Sequence, residues 1–447
     1  MNRDTADISL KTQMPGPNAL AVVAEDKKYQ AKTTDCYPFV RAFDGWAEGP
    51  FCTDVDGNVL LDFTGQIGCN PLGYNNPEII ATIARVPPIS PRKYAGTDFY
   101  GAWLNGLPSP TDLKRKVVES TSMFGFEKVG LWNSGAEAVE NAIKACYAKR
   151  GRGYGTGFYG AFHGRTLGAL SFNKSKVNHK QDYPEIPNVL TMPYCCEDEE
   201  DDCNCGFWIF DKKQGLRMSR LEQLLNQKTG IIAPEEMAFI LLEPVQGEGG
   251  YIVPNANFME ELRRVTSAYN IPLIADEVQA GMGRTGKMWA IEHWGIKPDL
   301  ICSAKALQLG ATIGRADMFP TKPGRLSSTW GGGDIVGSIE GYKTLEIIMR
   351  DKLWENAERR GNYFMDRLRG LQTKYSFITD VRGLGLMNAI EFDEKDRREK
   401  FEIECFKRGF MVIGCGYKAL RFLPPLDVTQ RELDIALNVI DDALKAI

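Results

Sequence analysis

The chain has 447 residues, of which 43% are hydrophobic and 25% charged, and its net charge is −4. That length exceeds one simple core and points to two lobes or more, with the composition of a soluble globular protein. The slightly acidic balance supplies no basic surface for nucleic acid or an anionic membrane, and no apolar run is long enough to span a bilayer.

Taken in chain order, the opening "MNRDTADISLKTQ" lacks the apolar core of a signal peptide. The eleven cysteines are read as reduced thiols of a cytoplasmic protein. "GPFCTDVDGNVLLDF" (Gly49 to Phe63) carries an Asp-Gly turn between alternating apolar residues and predicts a hairpin. From about Lys114 to Met318, apolar β-rich runs alternate with helical periodicity, which predicts a mostly parallel sheet covered by helices. "WNSGAEAVENAIK" places Ser134 three residues before Glu137, a capping box that opens a helix. Gly135 and Ala136 fall in its first turn, where backbone N–H groups lack helical partners and receive phosphate readily. "YGAFHGRTLGALS" then offers Phe162 or His163 as a stacking surface and Arg165 as a carboxylate clamp. "YCCEDEEDDCNC" (Tyr194 to Cys205) sets four thiols around an acidic run; its spacing is not a standard metal pair, and no metal is assigned.

Three later strands end in charge: "FILLEP" at Glu243, "IPLIADEV" at Asp276 and "PDLICSAK" at Lys305. Open parallel sheets bind ligands beyond the carboxyl ends of their strands. Between them, "GMGRTGKM" (Gly281 to Met288) nearly matches a nucleotide phosphate loop. Met288 stands where a hydroxyl should hold magnesium, so that reading fails. After about Ser338 come a long helical pattern, "IEGYKTLEIIMRDKLWENAERRGNYFMDRLRGLQ", three strand signals and a final helix. The expected division is 1–80 joining a small C-terminal domain, 81–336 as the large domain and 337–447 as the small α+β domain.

Lys305 poses the sharpest question, because an unpaired ammonium among apolar residues is costly. A phosphate cradle, an aromatic platform, a carboxylate and a lysine together suit pyridoxal 5'-phosphate. Lys305 would form the Schiff base, Asp276 would hold the pyridine nitrogen protonated, and the freed lysine would shuttle the substrate's α-proton.

"LLEPVQGEGG", "IADEVQAGMGRTGKMWAIEHWGIKPDL", the lysine strand and "SSTWGGG" resemble the class III (ω-amino) aminotransferases, fold-type I pyridoxal-phosphate enzymes that act on 4-aminobutyrate, ornithine or lysine. The resemblance runs from about Ala42 to Ala446. It implies an α/β fold with a large, mostly parallel sheet domain and a smaller α+β domain. It implies that Val278 packs on the cofactor ring opposite Phe162, that Gln279 contacts the ring hydroxyl, and that Gly135 and Ala136 bind phosphate. His163 belongs to the same cofactor-binding turn. Thr329 would bind the phosphate of a neighbouring subunit, which requires a homodimer with shared sites. Arg165 and, in "LRFLPPL", Arg421 would receive the carboxylates of amino-acid and keto-acid substrates, with Glu243 pairing to Arg421 when that arginine is idle. The implied reaction moves an amino group from a lysine-, ornithine- or 4-aminobutyrate-type donor to 2-oxoglutarate. Departures in "KALQLGA", at Asp334 and at Ala280 blur the substrate. Racemisation within the same family is the alternative, with Glu248 as a candidate second acid.

Overall fold

A computed structural model describes residues 1–31, 38–96, 103–196, 204–211 and 216–447. Two compact units emerge. One comprises Met1–Ile80 with Glu355–Ile447, the other Ala81–Trp354.

In the second unit a seven-stranded sheet runs in the order Lys128–Trp132, Gly310–Gly314, Leu300–Ser303, Leu273–Asp276, Met237–Leu242, Tyr154–Phe158 and Val189–Met192. The last five pair in parallel. Gly310–Gly314 runs antiparallel to both its neighbours. Chain length explains the reversal. Leu300–Ser303 ends and Gly310–Gly314 begins with only Ala304 to Leu309 between them. A parallel return needs a crossover of about a dozen residues or more, so the chain must turn back, and Lys305 sits in that turn.

The central strands are buried along their whole length, as in "MAFILL" of Met237–Leu242, which is why they read as continuous apolar runs. The helix Gly135–Arg150 lies on the sheet. Its Ala138, Val139, Ala142, Ile143 and Cys146 share a core with Phe239, Leu241, Ile274, Leu300 and Cys302. The expected capping box is half formed. Ser134 accepts the N–H of Glu137, but the Glu137 carboxylate reaches back to Asn133, taking its backbone N–H at 2.7 Å and its side-chain amide at 2.8 Å. Two donors on one residue outbid the single N–H of the cap.

In the first unit, Phe51–Thr53 and Val59–Asp62 form the expected hairpin. Val59–Asp62 also pairs in parallel with Phe410–Met411. "FMVIG" divides at Val412: Phe410–Met411 joins that sheet, whereas Ile413–Cys415 joins the sheet of Ile378–Leu384, Met387–Phe392 and Ala419–Phe422. The long helical pattern is two helices, Ile335–Arg350 in the second unit and Leu353–Lys374, nearly all of it in the first. The break falls beside Lys352, whose φ is +48°, although no proline or glycine marks it. No helix among the described residues is long and apolar enough to cross a membrane.

Candidate active site

Register brings the charged strand ends level. Ala275 pairs with Leu242 on one side and Ile301 on the other. Glu243 and Asp276 therefore leave adjacent strands in one row, with Cys302 opposite Asp276. Lys305 follows three residues later. It is half-buried and takes a left-handed backbone at φ +43°. Non-glycine residues held in that region concentrate at functional sites.

Helix Gly135–Arg150 starts beside this row. A Cβ at Gly135 would lie 2.9 Å from Val278 and 3.4 Å from Ala304. The bare glycine lets the helix start meet both the aspartate and the lysine segments. Gly164, at φ +135°, comes so close to Ala136 that a Cβ there would sit 2.6 Å from the alanine methyl. The "FHGR" turn thus closes on the same helix start. Gln279 lies against Gly247, where a Cβ would come within 2.9 Å of its Oε1.

Asp276 is buried, and its Oδ2 is 2.7 Å from His163 Nδ1 while Oδ1 accepts the N–H of Val278 at 3.1 Å. His163 is buried too, and its own N–H is held by Asn173 Oδ1 at 2.6 Å. The histidine ring is therefore committed to the aspartate, which leaves Phe162 as the aromatic surface of this turn. Phe162 is half-buried and its N–H donates to Glu243 Oε1 at 2.8 Å. Glu243 Oε2 accepts from Gly247 at 2.9 Å. Burial raises the Glu243 pKa to about 7, with Asp276 adding to the rise and His163 opposing it. Glu277, next in the chain, is raised to about 8 by burial despite two backbone N–H bonds from Ala290 and Ile291.

Arg165 is exposed, with its guanidinium 5.6 Å from the Phe162 ring centre. Thr329 is exposed on a loop fastened at two points: Gly96 N–H donates to its carbonyl at 2.8 Å, and Asn133 Nδ2 donates to Ser328 Oγ at 2.9 Å. Arg421 belongs to the other compact unit, buried in the Ala419–Phe422 strand. A cleft of about 760 Å³ lies along the sheet edge, lined among others by Lys128–Trp132, Phe319–Gly324 and Leu326–Ser328; it touches none of Lys305, Asp276 or Glu243. In the cysteine-rich stretch, residues 197–203 lie outside the described residues.

Three neighbours of the site were not singled out from the sequence. Asn173 braces the "FHG" turn, also donating to Gly164 O at 2.7 Å. His179 packs edge-on against Phe162, with ring centres 5.3 Å apart. Lys176 bonds Glu248 Oε1 at 2.6 Å. As one of three histidines in the chain, His179 carried a signal that composition alone could have raised.

The family profile described as aminotransferase class-III matches residues 38–444. The chain is 31% identical to an acetylornithine aminotransferase of Caldanaerobacter subterraneus subsp. tengcongensis, over 95% of this chain and 100% of that one. It is equally 31% identical to an alanine/serine racemase of Pyrococcus horikoshii, over 96% and 91%. Its fold is similar to that of the ornithine aminotransferase of Toxoplasma gondii, solved with partial occupancy of PLP at the active site. The TM-score is 0.77 at 26% identity, covering 98% of this chain and 96% of that one.

Proposed function

The chain belongs to the class-III aminotransferases, and from that membership we propose that it transfers an amino group from an ω-amino or basic amino acid, of the lysine, ornithine or 4-aminobutyrate type, to 2-oxoglutarate. The cofactor of this enzyme family is pyridoxal 5'-phosphate, and the residues present fit it. The start of a sixteen-residue helix is open to solvent at Ser134, and a side chain at Gly135 would fill the space beside Val278 and Ala304. That is a place for a phosphate on bare N–H groups. The donor set of amine, buried carboxylate and aromatic ring suits the remainder. When bound, the group supplies an electron sink for charge developed at the substrate's α-carbon or amino-bearing carbon.

Each residue then has a task. Gly135 and Ala136 hold the phosphate through backbone N–H groups, and Lys305 holds the cofactor covalently through Nζ. Asp276, oriented by His163, keeps a proton on the ring nitrogen. Phe162 and Val278 take the two ring faces, and Gln279 the ring hydroxyl. Lys305 Nζ moves the proton from the amino-bearing carbon of the substrate. Arg165 receives a substrate carboxylate; by the family resemblance Arg421 receives the second carboxylate of the acceptor. Thr329 serves the phosphate of a second copy, so the working unit is a homodimer.

The single observation carrying this reading is the juxtaposition at Gly135, which joins the phosphate-binding turn to the aspartate and lysine segments. The Pyrococcus relative gives a racemase reading some ground. Racemisation needs a second proton donor on the face opposite Lys305. Glu248, the candidate for that donor, is already bonded to Lys176 at 2.6 Å, so transamination is the better reading. Incubation with single amino acids and no keto acid tests it. L-lysine, L-ornithine or 4-aminobutyrate is expected to bleach the visible cofactor band and release the matching carbonyl product stoichiometrically. Loss of optical rotation from an L-amino acid with the band intact would establish racemisation instead.

A further inference from the structure

The "FHGR" turn belongs to a loop whose base is closed by backbone bonds. Lys174 N–H donates to Ala161 O at 2.8 Å, and Gly160 N–H to Lys174 O at 3.3 Å. Asn173 stands at that base, 1% exposed, and reaches into the turn. Its Oδ1 accepts the N–H of His163 at 2.6 Å, and its Nδ2 donates to Gly164 O at 2.7 Å. These contacts fix the orientation of the amide, since an N–H needs an acceptor and a C=O a donor. They also restrict the residue. A serine hydroxyl is one atom shorter and cannot span both groups, and an apolar side chain would leave two buried peptide groups unpaired.

What this clip holds is the backbone under a fully buried imidazole. The ring's polar anchor is Nδ1, 2.7 Å from Asp276 Oδ2; Nε2 has no hydrogen-bond partner among the described residues. An ionised carboxylate only accepts, so Nδ1 carries the hydrogen. With one polar anchor at the ring, the imidazole is placed from its backbone end, where Gly164 turns at φ +135° against Ala136. A different side chain holds the far end of the turn. Glu140 Oε1 accepts the Thr166 hydroxyl at 2.6 Å and the Ala169 N–H at 2.9 Å. The two ends are thus fastened separately, one at His163 and one beside Arg165.

From this geometry we infer that Asn173 is a positioning residue for the reaction. By fixing the His163–Gly164 backbone it aims the imidazole at Asp276 and holds that carboxylate where it keeps the proton on the cofactor's ring nitrogen. The inference rests on the reading that Asp276 holds that proton. Asn173 acts through His163 and Asp276, not on the reacting atoms. The ring proton is what makes the cofactor an electron sink, so a looser hold on it lowers kcat and leaves the carboxylate contacts behind KM in place.

The test is nitrogen NMR of holoenzyme reconstituted with cofactor isotope-labelled at the ring nitrogen, whose chemical shift reports the ring proton without turnover. Asn173→Ser is expected to lower the pH at which that proton is lost by about half a unit to one unit. The cofactor dissociation constant should rise about three- to tenfold, the equivalent of one ordinary hydrogen bond. kcat should fall by a similar factor, with KM for the amino donor nearly unchanged. Asn173→Thr fills more of the space and keeps a hydroxyl; it should shift the titration the same way by less, and it serves if Asn173→Ser does not fold. Glu140→Ala loosens the other end of the turn, so it should lose stability in urea and leave the ring-nitrogen titration in place. His163→Phe should shift the titration at least as far as Asn173→Ser, and adding Asn173→Ser to it should shift it no further. An unshifted ring nitrogen in the folded Asn173 variants would overturn the proposal. So would an equal shift in Glu140→Ala, which marks general loosening, or additive shifts in the double variant, which mark a route other than His163. A wild-type ring nitrogen that carries no proton would remove the role of Asp276 and this inference with it, and would leave the attachment at Lys305 standing.

Discussion

Replacing Gly135 by alanine is the sharpest perturbation of the site short of removing a charged group. The added Cβ would lie 2.9 and 3.2 Å from the two methyl carbons of Val278 and 3.4 Å from Ala304 Cβ. Carbon atoms settle about 3.5–4.0 Å apart, so Val278 must retreat by roughly 0.6 Å or more. Its branched side chain has little rotational freedom, and its N–H is bound to Asp276 Oδ1, so the displacement passes to the aspartate. Crowding of this kind costs about 1–3 kcal/mol; alanine in a helix returns up to about 1 kcal/mol. The net loss of stability is then between about zero and about 3 kcal/mol. Catalysis is less forgiving, because misplacement on the order of 1 Å can lower rates by about a hundredfold. The variant is expected to unfold cooperatively in urea with a small loss of stability, to retain cofactor weakly, and to lose about tenfold or more in kcat/KM. Wild-type cofactor retention and turnover in a folded Gly135→Ala protein would refute the placement of this helix start in the site.

Two further outcomes concern the framework. Burial raises the Glu277 pKa from 4.5 to about 8, so the folded chain holds that proton more tightly than the unfolded chain. Stability contributed by Glu277 therefore falls as pH rises from about 4.5 to about 8. Urea melts of wild type and Glu277→Gln across that window should show the wild type losing ground to the variant with rising pH; a constant or reversed difference would contradict the assignment. In the other unit, Arg3 binds Asp427 at 2.6 Å and Glu432 at 2.8 Å, and Glu432 caps the final helix Gln430–Leu444. Glu432 is almost wholly buried, while Arg3 and Asp427 keep 18% and 28% of their side-chain exposure. Arg3→Ala should cost about 2 kcal/mol, less than the roughly 3–5 kcal/mol of a fully buried pair, and an unchanged urea midpoint would show the network to be inert.

What the sequence disclosed follows from which interactions are local. The strands ending at Glu243, Asp276 and Lys305 were legible because fully buried strands read as unbroken apolar runs, and the Phe51–Asp62 hairpin because its turn is written in two residues. The long motifs around Asp276 and Lys305 made the family legible as well. The His163–Asp276 bond, spanning 113 residues, and the Lys176–Glu248 pair, spanning 72, have no local pattern. They arise only when the sheet order brings their strands together. The antiparallel Gly310–Gly314 strand was hidden for another reason: "GATIG" is short and glycine-bounded, and its direction is set by the brief connection before it. The break between Ile335–Arg350 and Leu353–Lys374 escaped because apolar periodicity continues through "RDKLW", and a left-handed lysine leaves no trace in composition.

The central claim is that Lys305, in the turn beyond the Leu300–Ser303 strand, carries the cofactor. The most direct measurement is borohydride reduction of the holoenzyme followed by peptide mass mapping. A single stable pyridoxyl adduct on the peptide containing Lys305, absent from Lys305→Ala, is the predicted result. An adduct on another lysine, or none on a protein that still shows the visible band, would contradict the account.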